Sequence, residues 1–466
     1  MLGSGLGYRR EFRAQLFENS GRVDFLEIIA DHYFDASPER LAELDLLAAH
    51  FPIVAHGLDL SPGSAEGLDE NYLGKLARLI ERINPPWFSE HLCFTKADGV
   101  SIGHLAALPC TNAAIDAVAR NVDALRARIK TPLLLENITT VVPVPGGRMD
   151  EPEFLSRVLE RTGCGWLCDI ANLHANLVNH GGDIETDFER WPWDRLVQVH
   201  YAGGRWSGGV LIDSHDSATS EAVWALFERI AARTPIAAAV LERDERLPPF
   251  AELLAETDRA RGVMRRSRGN ARAASAESAP PPPARTAPDD ALQGLANTQA
   301  ALARLFTDAG FRRGFFADPS QCPELEAIDS GAVERFADSL TAKRVLDARK
   351  QLPLTAAALA RDFAPLLRAV LRETPRPGRS HDDAAALAQR LTADGGRGWI
   401  ADLARYELAL LEASRPGALF MARRFGWPPH RLAVAARSGA AEPARGASLG
   451  FWLRLPGGGK LRHWTL

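Results

Sequence analysis

Cysteine is scarce, with five residues in a chain of 466: Cys93, Cys110, Cys164, Cys168 and Cys322. An odd, thinly spread set argues against a disulfide framework and fits a reducing compartment, so the expected location is the cytoplasm. Long apolar runs are missing as well. Nowhere do 18 uninterrupted apolar residues occur, and residues 1–10 lack the apolar core of a signal peptide, which argues against membrane insertion. Positive charge is not in surplus either. Against 59 acidic side chains stand 55 basic ones, a net charge of −4, so the chain as a whole has no excess cation to neutralise a phosphate backbone. Nucleic acid is therefore not the expected partner.

What the sequence does have is a globular composition, 46% hydrophobic and 24% charged, over a length that suits one large domain and a smaller one. The break between them is compositional. RRSRGNARAASAESAPPPPARTAPDD, residues 265–290, is rich in Arg, Ala, Ser and Pro and nearly free of large apolar side chains. Such a segment buries too little surface to offset its ordering entropy, so it reads as a disordered linker between residues 1–264 and 291–466.

Before that segment, short apolar runs alternate with longer amphipathic stretches, the pattern of βα units around a parallel sheet. The expected strands are GSGLGY (3–8), VDFLEII (23–29), PIVAHG (52–57), WFSEHLCF (87–94), PLLLENI (132–138), GWLCDI (165–170), LVQVHYAG (196–203) and AAAVLERD (237–244). Eight βα units in this length are the size of a (β/α)8 TIM barrel. After the segment, residues 291–306, 332–346, 354–371 and 384–413 read as amphipathic helices, and the tail, including RLAVAAR and SLGFWLRLPGGGKLRHWTL, alternates like short strands. The predicted architecture is a TIM barrel followed by a smaller, mainly helical domain.

In a TIM barrel the C-terminal ends of the strands converge on one mouth, so a polar residue closing an apolar strand is a candidate site residue. Those ends supply His56, His91, Glu136, Asp169, His200 and Glu242. LIDSHDS adds Asp213 and His215, spaced i, i+2 on an extended segment, and CDIANLHAN adds Asn172 and His174 after the sixth strand. Four imidazoles and four carboxylates would each carry a desolvation cost of several kcal/mol if buried unpaired, a cost that divalent metals remove. The mix of imidazole and carboxylate suits iron, zinc or manganese rather than a Mg²⁺ or Ca²⁺ cage. Glu27 and Asn137 are equally placed to touch a metal or a substrate or to serve structure alone. Cys93, two residues beyond His91, is expected on the same side of its strand. His32, His50, His104 and His180 lack such placement and are assigned to the surface or to local packing.

At this point the residues resemble a known family. HGLDLSPGS, SEHLCF, LLENIT, CDIANLHAN, VHYAGG, IDSHDS and LERD, in this order, are similar to segments of the multinuclear non-haem iron-dependent oxidative enzymes, the family of the methanobactin-biosynthesis oxidase. The resemblance spans residues 1–261, with a more distant likeness to endonuclease IV and the xylose isomerases. It implies that His56, His91, Glu136, Asp169, Asn172, His200, Asp213, His215 and Glu242 hold two or three irons in mixed Fe(II)/Fe(III) states. The family pattern has an Asn-Asn pair and a Tyr where this chain has Ala171, Asn172 and His174, which leaves Asn172 and His174 as alternatives for one ligand position. It further implies an O₂-dependent oxidative modification of a ribosomally made precursor peptide, commonly at cysteine or at a C-terminal residue, with a partner protein presenting the peptide. Residues 301–321 and 340–355 resemble a small helical domain found beside such oxidases, so the C-terminal half is expected to replace that partner; the alternative is a helical unit that dimerises the chain or shields the barrel. The rival activities are a zinc-dependent phosphodiesterase of the endonuclease IV kind, a sugar isomerase, which would need a lysine that no strand end supplies, and a peptide-binding module without turnover.

Overall fold

The computed structural model describes residues 1–267, 289–373, 380–393, 398–414, 420–439, 442–454 and 461–466. Eight parallel strands close into a barrel: β1 (Gly3–Gly7), β2 (Leu26–Ile29), β3 (Ile53–His56), β4 (Phe88–His91), β5 (Leu133–Glu136), β6 (Gly165–Asp169), β7 (Leu196–Tyr201) and β8 (Ala238–Leu241). Each pairs in parallel with its neighbours in sequence, and β1 meets β8 through Gly3 opposite Ala238. All eight expected strands are present, including the glycine-rich first one.

The barrel interior explains why the sequence carries the strand ends it does. Phe25, Val54, Trp87, Leu134, Leu167, Val197, Ala238 and Val240 form one buried apolar cluster inside it. Because side chains on a strand repeat with period two, the residue two positions beyond an inward apolar one also points inward, one layer nearer the mouth. That places Glu27 above Phe25, His56 above Val54, Glu136 above Leu134, Asp169 above Leu167 and Glu242 above Val240. Gly165 faces inward too. A Cβ there would come within 2.7 Å of Leu134 and 2.8 Å of Val197, so the floor of the barrel has no room for one.

Helices around the barrel start on side-chain caps: Asp69 accepts from Asn71 N and Tyr72 N before Glu70–Ile83, Thr111 from Ala114 N before Asn112–Arg128, and Ser220 from Val223 N before Glu221–Arg233. Two antiparallel ribbons interrupt the βα alternation at the mouth. Phe94–Ala97 pairs with Val100–Ala106 after β4, and Gly203–Ser207 pairs with Val210–Ser217 after β7.

Most of the stretch expected to be a linker, residues 268–288, lies outside the described residues. On either side of it helices run Phe250–Ser267 and Asp289–Thr307. The second of these packs on the barrel, and Leu295, Leu302, Leu305, Phe306, Val333, Phe336 and Leu340 belong to the same buried apolar cluster as the barrel's own helices. Gln299, fully buried, donates from Nε2 to Gly63 O at 2.7 Å and accepts from Ala65 N at 2.8 Å, pinning the loop after β3. Helix Ser330–Gln351 touches loops on opposite sides of the barrel. Lys343 Nζ donates to Gly103 O (3.2 Å) in the ribbon after β4, and Lys350 Nζ lies 3.1 Å from Glu245 after β8. The helix therefore crosses the C-terminal mouth.

The helical expectation for 354–371 resolves into Pro353–Leu359 and Phe363–Glu373. Pro365, with no N–H and a ring that would meet the preceding turn, has to sit in the first turn of a new helix, and Ala360 at φ 46° makes the break. The span 384–413 likewise holds two helices, Ser380–Ala393 and Gly398–Ser414. RLAVAAR, expected as strand, is helix Pro429–Ser438. Pro429 starts it, Gly439 in the left-handed region ends it, and three alanines favour it. The three-stranded antiparallel sheet at the end uses Phe420–Phe425, Ser448–Leu453 and Arg462–Thr465.

Candidate metal centre

The barrel strand ends and the ribbon after β7 bring eight side chains together. Around Glu136 Oε2 stand His56 Nε2 at 3.4 Å and His91 Nε2 at 3.5 Å, with the two imidazole nitrogens 3.2 Å apart. The other oxygen of Glu136 faces His200 Nδ1 at 3.4 Å, which also lies 3.2 Å from Glu242 Oε2. That same oxygen of Glu242 is 3.7 Å from His215 Nε2, and His215 Nε2 is 2.6 Å from Asp213 Oδ1. Among the described His, Cys, Asp and Glu, four groups have donor atoms close enough to share an ion: His56, His91 and Glu136; Glu136, Asp169 and His200; Glu27, His200 and Glu242; and Asp169, His215 and Glu242. They share members. Glu136, Asp169, His200 and Glu242 each belong to two groups, so the four groups form one continuous run of candidate ligands.

The arrangement is out of balance as protein alone. His91 Nδ1, Glu136 Oε2, Asp169 Oδ2, His200 Nδ1, Asp213 Oδ1 and His215 Nε2 are buried without a well-aligned hydrogen bond, although His215 Nε2 lies close to Asp213 Oδ1 and His200 Nδ1 to Glu242 Oε2. So many orphaned donors and acceptors in one place would be expensive in a site built to stay empty of cations. Burial pushes the Asp169 carboxyl well up, helped by Asp213, Glu136 and Glu242. Burial acts the same way on Glu242, but His200 and His215 outweigh it and hold that carboxylate well down. Burial lowers His91 to about 4, which leaves a neutral imidazole with a lone pair to give. A set of imidazoles and carboxylates without thiolate fits iron, zinc or manganese.

Three of the four imidazoles are aimed by a contact on the far side; His91 Nδ1 has none. His56 Nδ1 meets Ser89 Oγ at 2.8 Å, His200 Nε2 meets Glu27 Oε1 at 2.8 Å, and His215 Nδ1 meets Asp244 Oδ2 at 3.4 Å. Glu27 is held in turn by Gln198, whose Nε2 donates to it at 2.6 Å while Trp87 Nε1 donates to Gln198 Oε1 at 2.7 Å. Such outer partners fix ring orientation and raise ligand basicity. Glu27 is within reach as a ligand, but the direct contact with His200 gives it the holding role. Ser89, Gln198 and Asp244 are functional residues that the strand-end reading misses. Ser89 and Gln198 lie one inward step before His91 and His200, so the same period-two rule, carried one layer deeper, finds them.

Asp169 has two tasks. Its Oδ1 accepts from Asn172 N at 2.6 Å and caps helix Ile170–His180, while Oδ2 is left facing the site. Asn137 braces it, donating to Asp169 O at 2.9 Å and accepting from Asp169 N at 3.1 Å, so its amide is spent on structure. Asn172 is buried beside Asp169, and its side-chain oxygen accepts from the Thr139 hydroxyl. His174 is half-buried two residues further along and joins none of the groups. Asp213 and His215 come from the ribbon strand Val210–Ser217, where His215 at φ 49° departs from simple alternation yet still meets Asp213.

Cys93 does not follow the strand alternation expected of it. β4 ends at His91, Cys93 N donates back to His91 O at 2.9 Å, and the buried thiol, pushed well up by its surroundings, stands in none of the ligand groups. Cys168 faces away from Asp169 into the outer apolar cluster. Of the remaining histidines, His50 contacts Leu46 O, His180 contacts Thr140 O, and His104 lies against the Phe336 ring.

No described helix is long and apolar enough to cross a membrane. A UPF0276 protein of Caulobacter vibrioides is 38% identical over 260 residues, 56% of this chain and 93% of that one. One of Bordetella bronchiseptica is 37% identical over 271 residues, 56% of this chain and 93% of that one, and one of Streptomyces avermitilis is 35% identical over 274, 57% of this chain and 55% of that one. A solved structure of endonuclease IV from Thermus thermophilus aligns with 57% of this chain and 99% of its own at 15% identity and a TM-score of 0.36. The model of the RiPP precursor modification enzymes MbnB/TglH/ChrH matches residues 3–265, the whole barrel with its candidate ligands, and the chain belongs to that family.

Proposed function

We propose that this protein carries out an O₂-dependent oxidative modification of a ribosomally made precursor peptide, at a cysteine or a C-terminal residue, with two or three iron ions at the barrel mouth. The observation that carries the reading is the run of ligand groups joined by Glu136, Asp169, His200 and Glu242, with six buried donor and acceptor atoms that make no well-aligned hydrogen bond. Iron bound there would supply the one-electron chemistry and the site for O₂ that imidazoles and carboxylates alone do not. His56 and His91 would hold one end of the row, Asp169, Asp213 and His215 the other, and His200 the middle. Ser89, Glu27 and Asp244 would keep the imidazole rings turned toward the ions, so that their positions change little as charge moves during turnover. Helix Ser330–Gln351, crossing the mouth, would limit water and leave the peptide to enter from the side.

The C-terminal half, in this reading, does the work of a separate presenting partner, and the protein acts in the cytoplasm. The test is reconstitution of the full chain with Fe(II) without oxygen, followed by addition of the cognate peptide and O₂. A mass change in the peptide that needs both iron and O₂ is expected. No mass change, or a zinc-only protein that cleaves phosphodiesters, would overturn the reading.

A further inference from the structure

A cavity of about 500 Å³ lies in the helical region, bounded by the end of helix Asp289–Thr307, the start of Ala309–Ala317 and the facing sides of Ser330–Gln351 and Phe363–Glu373. Its walls carry Arg312, Arg313, Arg344, Arg368 and Arg372. Two of the five are committed to the fold. Arg344 forks onto Asp383 at 2.9 and 2.6 Å, and Arg312 reaches Glu334 at 3.0 Å and Leu305 O at 2.6 Å. Arg313, Arg368 and Arg372 are exposed to the cavity's solvent and have no acidic partner among the described residues.

Composition does not explain that concentration, because acidic side chains outnumber basic ones in the chain. Most barrel arginines lie beside a carboxylate, as Arg82 does with Asp45 and Arg259 with Glu221. Arg368 and Arg372 are moreover spaced i, i+4 on one helix face, where like charges repel. Of the two aspartates in the wall, Asp308 is occupied in capping helix Ala309–Ala317 through Gly310 N and Phe311 N. Two of the free N–H groups of that helix are thus already satisfied, and the cavity offers a ligand the guanidinium groups set against the single carboxylate of Asp338.

We infer that this cavity is a docking site for an acidic segment of the substrate peptide, with at least two carboxylates engaged by Arg313, Arg368 and Arg372. The volume falls within the range of ligand sites, about 300–1,000 Å³. The lining is the reverse of a small-molecule pocket: Phe306 is its only aromatic residue and is buried, so no ring is free to stack on a nucleobase. Arginine forks matched to several carboxylates are instead the chemistry of acidic-motif recognition. Placement supports a tether. The cavity wall uses Asp338, Thr341 and Arg344 of the same helix whose Lys350 reaches Glu245 at the barrel mouth, a rise of roughly 10–20 Å along the axis. A peptide held there has its next several residues within reach of the metal centre.

The identity of the peptide rests on the peptide-modifying reading, but binding is measured without metal, O₂ or turnover, so the two fail separately. The experiment is fluorescence anisotropy of the full chain with labelled hexaglutamate and labelled hexaglutamine. Expected are binding of hexaglutamate only, a loss of at least tenfold in R368A/R372A, a smaller loss in R313A, and no change in R157A/R233A, which removes the same charge from barrel helices. Equal losses in the two double variants would reduce the effect to general electrostatics and overturn the proposal. Unchanged affinity in R368A/R372A, or displacement of hexaglutamate by tripolyphosphate at equal concentration, would overturn it as well, the latter in favour of a small phosphorylated ligand.

Discussion

Replacing Gln299 with leucine removes two hydrogen bonds while nearly conserving volume, and so isolates what ties the helical region to the loop that follows the candidate ligand His56. Gln299 is fully buried, and its amide serves Ala65 N at 2.8 Å and Gly63 O at 2.7 Å. In Gln299→Leu both backbone groups stay buried without that partner, at a cost of about 1–3 kcal/mol each. Backbone hydrogen exchange at Ala65 reads the first of these directly. At about 1.4 kcal/mol per tenfold, the exchange rate should rise by roughly 5- to 150-fold if exchange proceeds through local opening. The same loop carries Ser61 at φ 60°, a conformation that persists only if its surroundings enforce it, so the rise should spread over residues 60–66 and leave the barrel strands protected. A change below about twofold at Ala65, far under the range expected for a lost buried bond, would refute the claim that this helix is part of the barrel's own core.

Metal removal should destabilise the protein: at free ion concentrations of about 100–1,000 times Kd each site adds about 2.7–4.1 kcal/mol, which translates into a drop on the order of 5–15 °C in Tm on chelation, measured by scanning fluorimetry in oxygen-free buffer. Arg344→Ala leaves the buried Asp383 carboxylate without its fork and should lower stability by about 3–5 kcal/mol in denaturant titration, with Arg344→Lys recovering only part. Glu151, half-buried beside Asn176, is raised by burial from 4.5 to about 7. The folded chain therefore holds that proton more tightly than the unfolded one, and the stability it contributes is fully present below pH 4.5 and lost as pH climbs to about 7. Relative to Glu151→Gln, the native protein should lose on the order of 1–2 kcal/mol between about pH 5 and 8, after allowance for partial solvent screening.

The barrel and the ligand row are legible in the sequence because one physical rule produces both. Inward positions repeat every second residue, so an apolar residue followed at i+2 by His, Asp or Glu marks the last inward step before the mouth, as in Val54 to His56 and Leu134 to Glu136. The outer partners Ser89 and Gln198 obey the same rule but carry no ligand chemistry of their own, and Asp244, paired with Arg9, meets the site through His215. Asn137 is ambiguous in the sequence because an amide suits a substrate as well as a backbone, and only the pair of bonds to Asp169 decides. The C-terminal region is less legible. RLAVAAR alternates by chance among small residues, the strand FMARRF hides behind two exposed arginines, and the helix over the mouth is fixed by contacts between residues more than 100 positions apart.

The metal content of oxygen-free purified protein tests the central claim most directly, with single-ligand variants beside it. The account predicts two to three irons per chain, loss of about one in His56→Ala, and a larger loss in Glu136→Ala, because that carboxylate faces two groups. Protein without bound metal, or a Glu136→Ala variant that keeps the native stoichiometry, would contradict it.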